Sequence, residues 1–314
     1  MALDYYDKVW HNGEFIPWES ATIPVASHVL SYASCIFEGL RCYDTVHGPA
    51  IFRLKEHTDR LFNSCRVYRM EPNYTHAQIE EAMLELMRVN QCPHAYIRPV
   101  VFRGYGDMGV NPLKNPIETY LLCWKWGQYM GHDALEEGID VCVSSWNRVA
   151  QNTLPAAAKS AANYMSSQLI KMEAIINGYA EGIALDAAGY VSEASGANIF
   201  LIKDGKLSTP PLASAVLPGI TRDCAITLAR ELGYTVTEEL ISREMLYMAD
   251  EVFFTGTAAE ITPLRSIDRI PVGSGKPGPV TRRLQQRFLD IAHGRAEDKY
   301  GWLTYCNQPM AAAR

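Results

Sequence analysis

Residues 101–112 read VFRGYGDMGVNP, and how Gly104, Gly106 and Gly109 are read decides the fold class. The three glycines match GxGxxG, which in a dinucleotide-binding domain closes a strand and opens a helix whose N-terminus holds pyrophosphate. The strand is present, because the preceding run AYIRPVVFRG is rich in β-branched and aromatic residues. The helix is not. Val110, Asn111 and Pro112 follow at once, with Pro116 close behind, and proline inside a helix removes a hydrogen bond and collides with the preceding turn. The nucleotide reading is therefore rejected. What remains is a long loop, YGDMGVNPLKNPI, between AYIRPVVFRG and the second strand-like run ETYLLCWKW. Long ordered loops often carry function.

Upstream of that loop the chain reads as an α+β unit. KVWHNGEFIPW places Asn12-Gly13 between two β-prone runs, a hairpin signal. Helices are predicted near 54–67 and 76–90, the latter from Ile79, Met83, Leu86 and Met87 at helical spacing. Residues 1–126 are expected to form this smaller domain, and GQYMGHDALEEG, within 127–138, reads as a linker. The strand IDVCVSS opens a larger domain over 139–314. Its long helix, about 162–177, repeats Ala162, Met165, Leu169, Met172 and Ile176 along one face and stops at Gly178. GIALD, YVSEAS, NIFLIKD and KLSTP follow as a β-meander with turns at Ala188-Gly189 and Asp204-Gly205. A helix from Thr221 to Leu232 ends at Gly233, and EVFFTG reads as a strand.

Composition limits the function classes. The 314 residues are 48% hydrophobic and 20% charged, with 29 basic and 35 acidic side chains and a net charge of −6. No block of Lys and Arg could follow a phosphate backbone, so nucleic acid is not an expected partner. There is no run of eighteen apolar residues and no secretory-type opening, so a membrane partner is not expected and a cytoplasmic setting is. The eight cysteines form no CxxC pair and the eight histidines no HExxH. Reduced core thiols and no catalytic metal are the expectation.

Several stretches carry chemistry. LPAAAKSAANY sets Lys159 among small apolar residues, so its charged head either reaches water on a flexible stem or is held inside for a purpose. Glu193, mid-strand in YVSEASGANIF, is either exposed or buried with a partner. In YIRPVVF, Tyr96, Arg98, Val100 and Phe102 share one face. Arg98 suits a carboxylate there, or it points outward. Arg60, in EHTDRLFNS, could equally lie on a solvated helix face. LPGITRDCA puts Thr221 where an N-cap belongs, making either an anion site or an ordinary capped helix. FFTGTAAEITP offers a second turn after a strand, around Gly256–Ala258.

Taken together, and in this order, SYASCIFEGLRCY, EHTDRL, YIRP, DMGVNP, AAAKSAANY, SEASGANIF, LPGITR and GTAAEITP resemble the branched-chain amino acid aminotransferases. These are class IV aminotransferases, pyridoxal phosphate enzymes of fold type IV. The resemblance runs from about residue 5 to GPVTRRLQQRFLDI and DKYGWL. It implies an α+β, two-domain fold with a smaller N-terminal α/β domain and a larger C-terminal domain built on a β-barrel-like core. It further implies that pyridoxal 5′-phosphate is bound, and that amino groups pass between leucine, isoleucine or valine and 2-oxoglutarate, giving branched 2-oxo acids and L-glutamate.

By the same resemblance Lys159 forms the Schiff base with the cofactor and carries the proton, a role that desolvation of the amine would favour. Glu193 pairs with the pyridine nitrogen and Tyr164 with the 3′ oxygen. Arg60, Gly219, Ile220, Thr221 and Thr257 hold the phosphate, and Ser195, Asn198 and Leu217 complete the cofactor set. Tyr96, Arg98, Thr257 and Ala258 are implied at the substrate carboxylate. Tyr32, Phe37, Gly39, Tyr129 and Tyr164 line an apolar pocket, where Arg98 or a neighbouring backbone also anchors the acidic end of 2-oxoglutarate. Met108 and Val110 resemble a loop that reaches into a partner subunit, implying a homodimer or an assembly of dimers. Two positions depart from the pattern: Asp107, where glycine is frequent, and Ala197, where glutamate is. Relatives on the same fold, the D-amino acid aminotransferases, (R)-selective amine transaminases and aminodeoxychorismate lyases, are the alternatives, together with a catalytically silent homologue.

Overall fold

The strand that precedes the three glycines runs from Ala95 to Arg103 and buries Ile97 and Val101 completely. A computed structural model of the chain describes residues 3–127 and 133–307. In chain order the elements are β1 (Lys8–His11), β2 (Glu14–Pro17), α1 (His28–Tyr32), β3 (Cys35–Phe37), β4 (Leu40–Thr45), β5 (Gly48–Phe52), α2 (Leu54–Val67), α3 (His76–Val89), β6 (Ala95–Arg103) and β7 (Ile117–Trp124). Then come α4 (Ala134–Glu137), β8 (Ile139–Val143), α5 (Tyr164–Ile176), β9 (Glu181–Leu185), β10 (Val191–Ala194), β11 (Asn198–Lys203), β12 (Lys206–Thr209), α6 (Ile220–Glu231) and β13 (Val236–Glu238). The chain closes with α7 (Arg243–Met248), β14 (Glu251–Gly256), β15 (Glu260–Ile267), β16 (Ile270–Pro271), α8 (Pro279–Ala292) and β17 (Leu303–Tyr305).

The described residues form two compact units, 3–127 with 158–162 and 290–307, and 133–157 with 163–289. In the first, one antiparallel sheet runs β17-β5-β4-β6-β7-β1-β2, with β3 added on β6. Asn12 and Gly13 take φ of 45° and 99°, the two left-handed residues that a tight hairpin between β1 and β2 requires. Threonine starts α3 with a capping box, Thr75 Oγ1 accepting from the Gln78 amide and Gln78 Oε1 from the Thr75 amide. The α2 and α3 helices then lay Leu61, Cys65, Ile79, Met83 and Met87 into one cluster with Ile97, Val101, Leu121 and Cys123. Residues 158–162 and 290–307 were read from sequence as parts of 139–314. They group here because Ile36 bridges Ser160 and β17 pairs with β5, burying Cys306 in the same core. Within the segment read as a linker, Ala134–Glu137 is the short helix α4.

The second unit is a single sheet ordered β10-β9-β8-β15-β14-β11-β12-β13, with β16 on β15. The turn from β10 to β11 is closed by the Ala194 amide on the Ala197 carbonyl at 2.8 Å. That brings the first strand of the path beside its sixth and curls the sheet into a barrel-like core filled by Val141, Ile183, Val191, Ile199, Val252, Phe254 and Leu264. The expected α+β architecture is the one observed.

Two local expectations are corrected. Thr221 is not the N-cap of α6: Gly219 is, and Thr221 is buried in the first turn. The α5 helix does not bury the stripe through Met165, Met172 and Ile176, which are 59%, 49% and 83% exposed. It buries Ser167, Ile170 and Ala174. The cause is Gly182 on β9, where an added Cβ would lie 2.8 Å from Ile170 Cγ2 and 3.0 Å from its carbonyl oxygen. With no side chain on Gly182 the helix comes close enough to pack Ile170 directly on β9. Gly182→Ala is expected to cost about 1 to 3 kcal/mol through overpacking. Urea denaturation checks this as a lowered midpoint at unchanged slope.

Candidate active site

Lys159 follows an irregular stretch, and its backbone is fixed on both sides. Its amide donates to Ser64 Oγ on α2 at 3.0 Å, and its carbonyl accepts from the Phe37 amide at 3.1 Å. The side chain is half-buried between fully covered Ala158 and Ser160. Its Nζ stands 5.0 Å from the centre of the Phe37 ring. On that same ring sits Arg98, its guanidinium carbon 4.7 Å from the centroid and also near Tyr96 at 5.4 Å and Trp124 at 5.5 Å. Arg98 Nε is buried without a hydrogen-bond partner among the described residues. The outward-pointing alternative for Arg98 is thus excluded. A guanidinium walled by aromatic faces, with an unsatisfied donor, has the chemistry that can receive an anion. Gly39 belongs to this cluster, since a Cβ there would lie 1.9 Å from Tyr96 Oη.

Beside Phe37 lies a residue the sequence reading missed. Glu38 is fully buried, and its carboxylate accepts from Arg60 Nε at 2.6 Å, Arg60 Nη2 at 2.9 Å, the Gly39 amide at 3.1 Å and His57 Nδ1 at 2.8 Å. A carboxylate only accepts, so the neutral imidazole donates its Nδ1–H. Burial alone would raise the Glu38 pKa, but Arg60 and then His57 hold it well below the usual carboxylate range. The His57 ring is pushed down chiefly by burial and, against its bond to Glu38, by the charges of Arg60 and Lys159. The signal was in the spacing: His57, Arg60 and Ser64 recur at i, i+3 and i+7, one face of α2.

The long loop is built from within. Asp107 Oδ1 accepts from the Gly109 amide at 2.7 Å and its carbonyl from Asn115 Nδ2 at 2.9 Å. Tyr32 Oη donates to the Met108 carbonyl at 3.0 Å, while Arg103 grips the Pro112 carbonyl at 2.7 Å. Met108 and Val110 stay exposed, at 41% and 80%. Tyr129 lies outside the described residues.

In the second unit Glu193, on β10, is buried. Its Oε1 meets Arg148 Nη2 at 2.9 Å, and Oε2 accepts from Asn198 Nδ2 and the Leu217 amide, both at 3.0 Å. Of its two readings, the buried, partnered one is correct. Asn198 also presses on Gly219, where a Cβ would be 1.8 Å from Asn198 Oδ1. Gly219 opens α6 without a side-chain cap, so Ile220 and Thr221 present first-turn amides and the positive end of the helix dipole. Opposite Asn198 in the ladder, Thr255 keeps a buried hydroxyl with no partner among the described residues. Thr257 and Ala258 form the following turn, half-buried, Tyr164 begins α5, and Ser195 and Ala197 are buried in the β10–β11 turn. Arg148 was not foreseen. No cluster of His, Cys, Asp and Glu suited to a metal occurs among the described residues.

A phosphorylated pyridine aldehyde asks for an amine, a buried anion for a ring nitrogen and amides for a phosphate. Lys159 in the first unit is of the first kind, and Glu193 and the α6 N-terminus in the second are of the other two, with the orphaned Thr255 hydroxyl on the strand beside Asn198, so the residues of each unit suit the part of such a group they would meet.

Comparison with known proteins identifies a family. The family profile of amino-transferase class IV matches residues 35–267. The chain is 52% identical over 309 residues to the branched-chain-amino-acid aminotransferase of Escherichia coli strain K12, covering 98% of this chain and 100% of that one. The crystal structure of the Escherichia coli branched-chain amino acid aminotransferase superposes with a TM-score of 0.95 at 51% identity, over 96% of this chain and 100% of the other. The branched-chain amino acid aminotransferase from Thermobaculum terrenum, in its PLP-form, gives 0.90 at 35% identity, over 97% and 100%.

Glu38→Gln tests the buried cluster. Removing one partner strands the Arg60 charge, so a loss of about 3 to 5 kcal/mol is expected at neutral pH. Glu38 titrates below its ordinary 4.5 and His57 below its ordinary 6.5. In both windows the unfolded chain takes up protons first, so stability falls as pH drops. The variant should lose the Glu38 share of that fall, the part beginning near 4.5. Urea midpoints measured across the acid range check both effects, and an unchanged midpoint at neutral pH would refute the assignment.

Proposed function

The chain belongs to the class IV aminotransferases, among the branched-chain-amino-acid aminotransferases, and from that premise we propose how its own residues transfer an amino group between branched-chain L-amino acids and 2-oxoglutarate. The observation that carries the substrate class is the Phe37 ring, with an amine on one contact and an unpartnered guanidinium on another. An α-amino acid with an apolar side chain needs that combination: a base near its Cα, a cation for its carboxylate and aromatic walls for the rest. A simple amine has no carboxylate for Arg98 to meet.

Pyridoxal 5′-phosphate, when bound, supplies an electron sink for the Cα and a carrier for the amino group between the two half-reactions. Lys159 would hold it covalently, and its freed amine would carry the proton from the substrate Cα to the cofactor in one half-reaction and back in the other. Glu193 keeps a negative charge for the pyridine nitrogen, with Asn198 and Leu217 fixing the carboxylate and Ser195 in the same turn. Tyr164 serves the 3′ oxygen. Arg60, Thr257 and the α6 amides of Ile220 and Thr221 after Gly219 serve the phosphate, the helix dipole adding to the attraction. Tyr96, Arg98 and the Thr257-Ala258 backbone receive the substrate carboxylate. Tyr32, Phe37 and the room left by Gly39 shape a pocket that tolerates a methylene more or less. Arg98 or a neighbouring backbone serves the second carboxylate of 2-oxoglutarate.

The working form is a homodimer or an assembly of dimers. Support comes from Met108, Val110 and the Met165, Met172 and Ile176 stripe, apolar surfaces a lone chain leaves to water. No described helix is long and apolar enough to cross a membrane, and the setting we infer is cytoplasmic.

Borohydride reduction of the loaded protein should label Lys159, and Lys159→Ala should abolish turnover. Arg98→Met should lower kcat/KM for L-leucine by roughly tenfold to a hundredfold, the worth of about 1.5 to 3 kcal/mol for a hydrogen bond to a charged group. Turnover of D-alanine and (R)-1-phenylethylamine without L-leucine would overturn the reading. Sedimentation of wild type and Val110→Asp checks the assembly, the variant shifting toward monomer.

A further inference from the structure

We propose that Arg148 is a positioning residue for the cofactor, one guanidinium fixing both groups assigned to the pyridine ring. Glu193 is fixed directly and Tyr164 through its helix. The inference rests on the reading that Glu193 and Tyr164 serve that ring.

Arg148 is 6% exposed. Its amide donates to the Leu185 carbonyl at 2.8 Å, which anchors the backbone to β9. From there Nη2 meets Glu193 Oε1 at 2.9 Å and Nη1 donates to Ser167 Oγ at 3.0 Å. Ser167 lies one turn after Tyr164, on α5, so the two share a helix face. The same cation therefore ties the carboxylate on β10 to the first turns of α5. Its Nε is buried with no partner among the described residues, an unsatisfied donor that stability alone would disfavour.

Two consequences follow. A buried carboxylate stays ionised when a cation stands against it, so Glu193 is an anion before any ring nitrogen arrives. Arg148 also places positive charge behind that carboxylate, which tempers how strongly Glu193 holds a proton on the ring. A purely structural arginine would do only the first.

The test uses the full chain with pyridoxal 5′-phosphate as the probe, comparing wild type, Arg148→Met, Arg148→Lys, Ser167→Ala and Glu193→Gln. Cofactor affinity is read by equilibrium dialysis, and the pH at which the visible band of the bound cofactor changes is read by absorbance. Arg148→Met should weaken affinity about tenfold or more. It should also move the band transition to higher pH, because a lost cation lets protonated forms persist. Arg148→Lys should restore part of both, and Ser167→Ala should give smaller changes in the same direction. Wild-type affinity and an unmoved transition in Arg148→Met would overturn the proposal. If that variant does not fold, unmoved values in both Arg148→Lys and Ser167→Ala overturn it instead. If Glu193→Gln is also without effect, the reading of Glu193 itself fails. If Glu193→Gln has its effect and the Arg148 and Ser167 variants have none, only the role of Arg148 fails.

Discussion

A carboxylate cut off from water has to be met by a cation or by hydrogen-bond donors, or it takes up a proton, and in each unit this chain sets an arginine against one of its buried carboxylates. Glu38 is joined to Arg60, with His57 alongside, and Glu193 to Arg148. Each pair sits at a junction. Glu38 ties the end of β3 to the face of α2 that also grips the Lys159 amide through Ser64. Glu193 ties β10 to the turn before α6 through Leu217, while Arg148 reaches α5. The residues that carry chemistry are held by the same bonds that keep the buried charges neutralised.

Phe37 adds a second kind of order. Cations are drawn to the face of an aromatic ring by about 0.5 to 2 kcal/mol, without the directional demand of a hydrogen bond. One ring can therefore hold a lysine amine and an arginine together, leaving Arg98 Nε without a partner among the described residues. A carboxylate in the place of Phe37 would bind the same cations and cancel them. The aromatic wall holds Arg98 in place with its Nε unspent among the described residues, the arrangement the proposed carboxylate contact asks for.

How much could be read beforehand follows the range of each interaction. Local signals were legible: Asn12-Gly13 turned as expected, the two first-unit helices fell near their forecast limits, and prolines marked the Gly104–Gly109 segment as a loop. Lys159, Arg98 and Glu193 stood out because charge in apolar company is visible in a short window. Glu38 and Arg148 did not, since their partners are 22 and 45 residues away and no periodicity links them. Only the i, i+3, i+7 set on α2 hinted at the first cluster. The α5 helix was misjudged for a related reason. Counting apolar residues finds the greasiest face, whereas the helix buries the face that packs on Gly182 through Ile170 and Ala174. Thr221 looked like a cap because its hydroxyl fits that role, yet Gly219 bends the chain first.

Asp107 shows how a side chain can order a loop from within. Glycine offers freedom at such a position, and a loop with freedom loses it on ordering. Here the side chain substitutes a bond for that freedom, accepting the Gly109 amide while Asn115 holds the Asp107 carbonyl. The Met108 carbonyl is in turn fixed by Tyr32. The loop is thereby ordered from inside, and its apolar tips at Met108 and Val110 project from a frame already set. A surface ordered before it meets anything loses less entropy on meeting it. One oxygen of the Asp107 carboxylate is engaged in shaping the backbone, and the tips at Met108 and Val110 stay apolar and exposed.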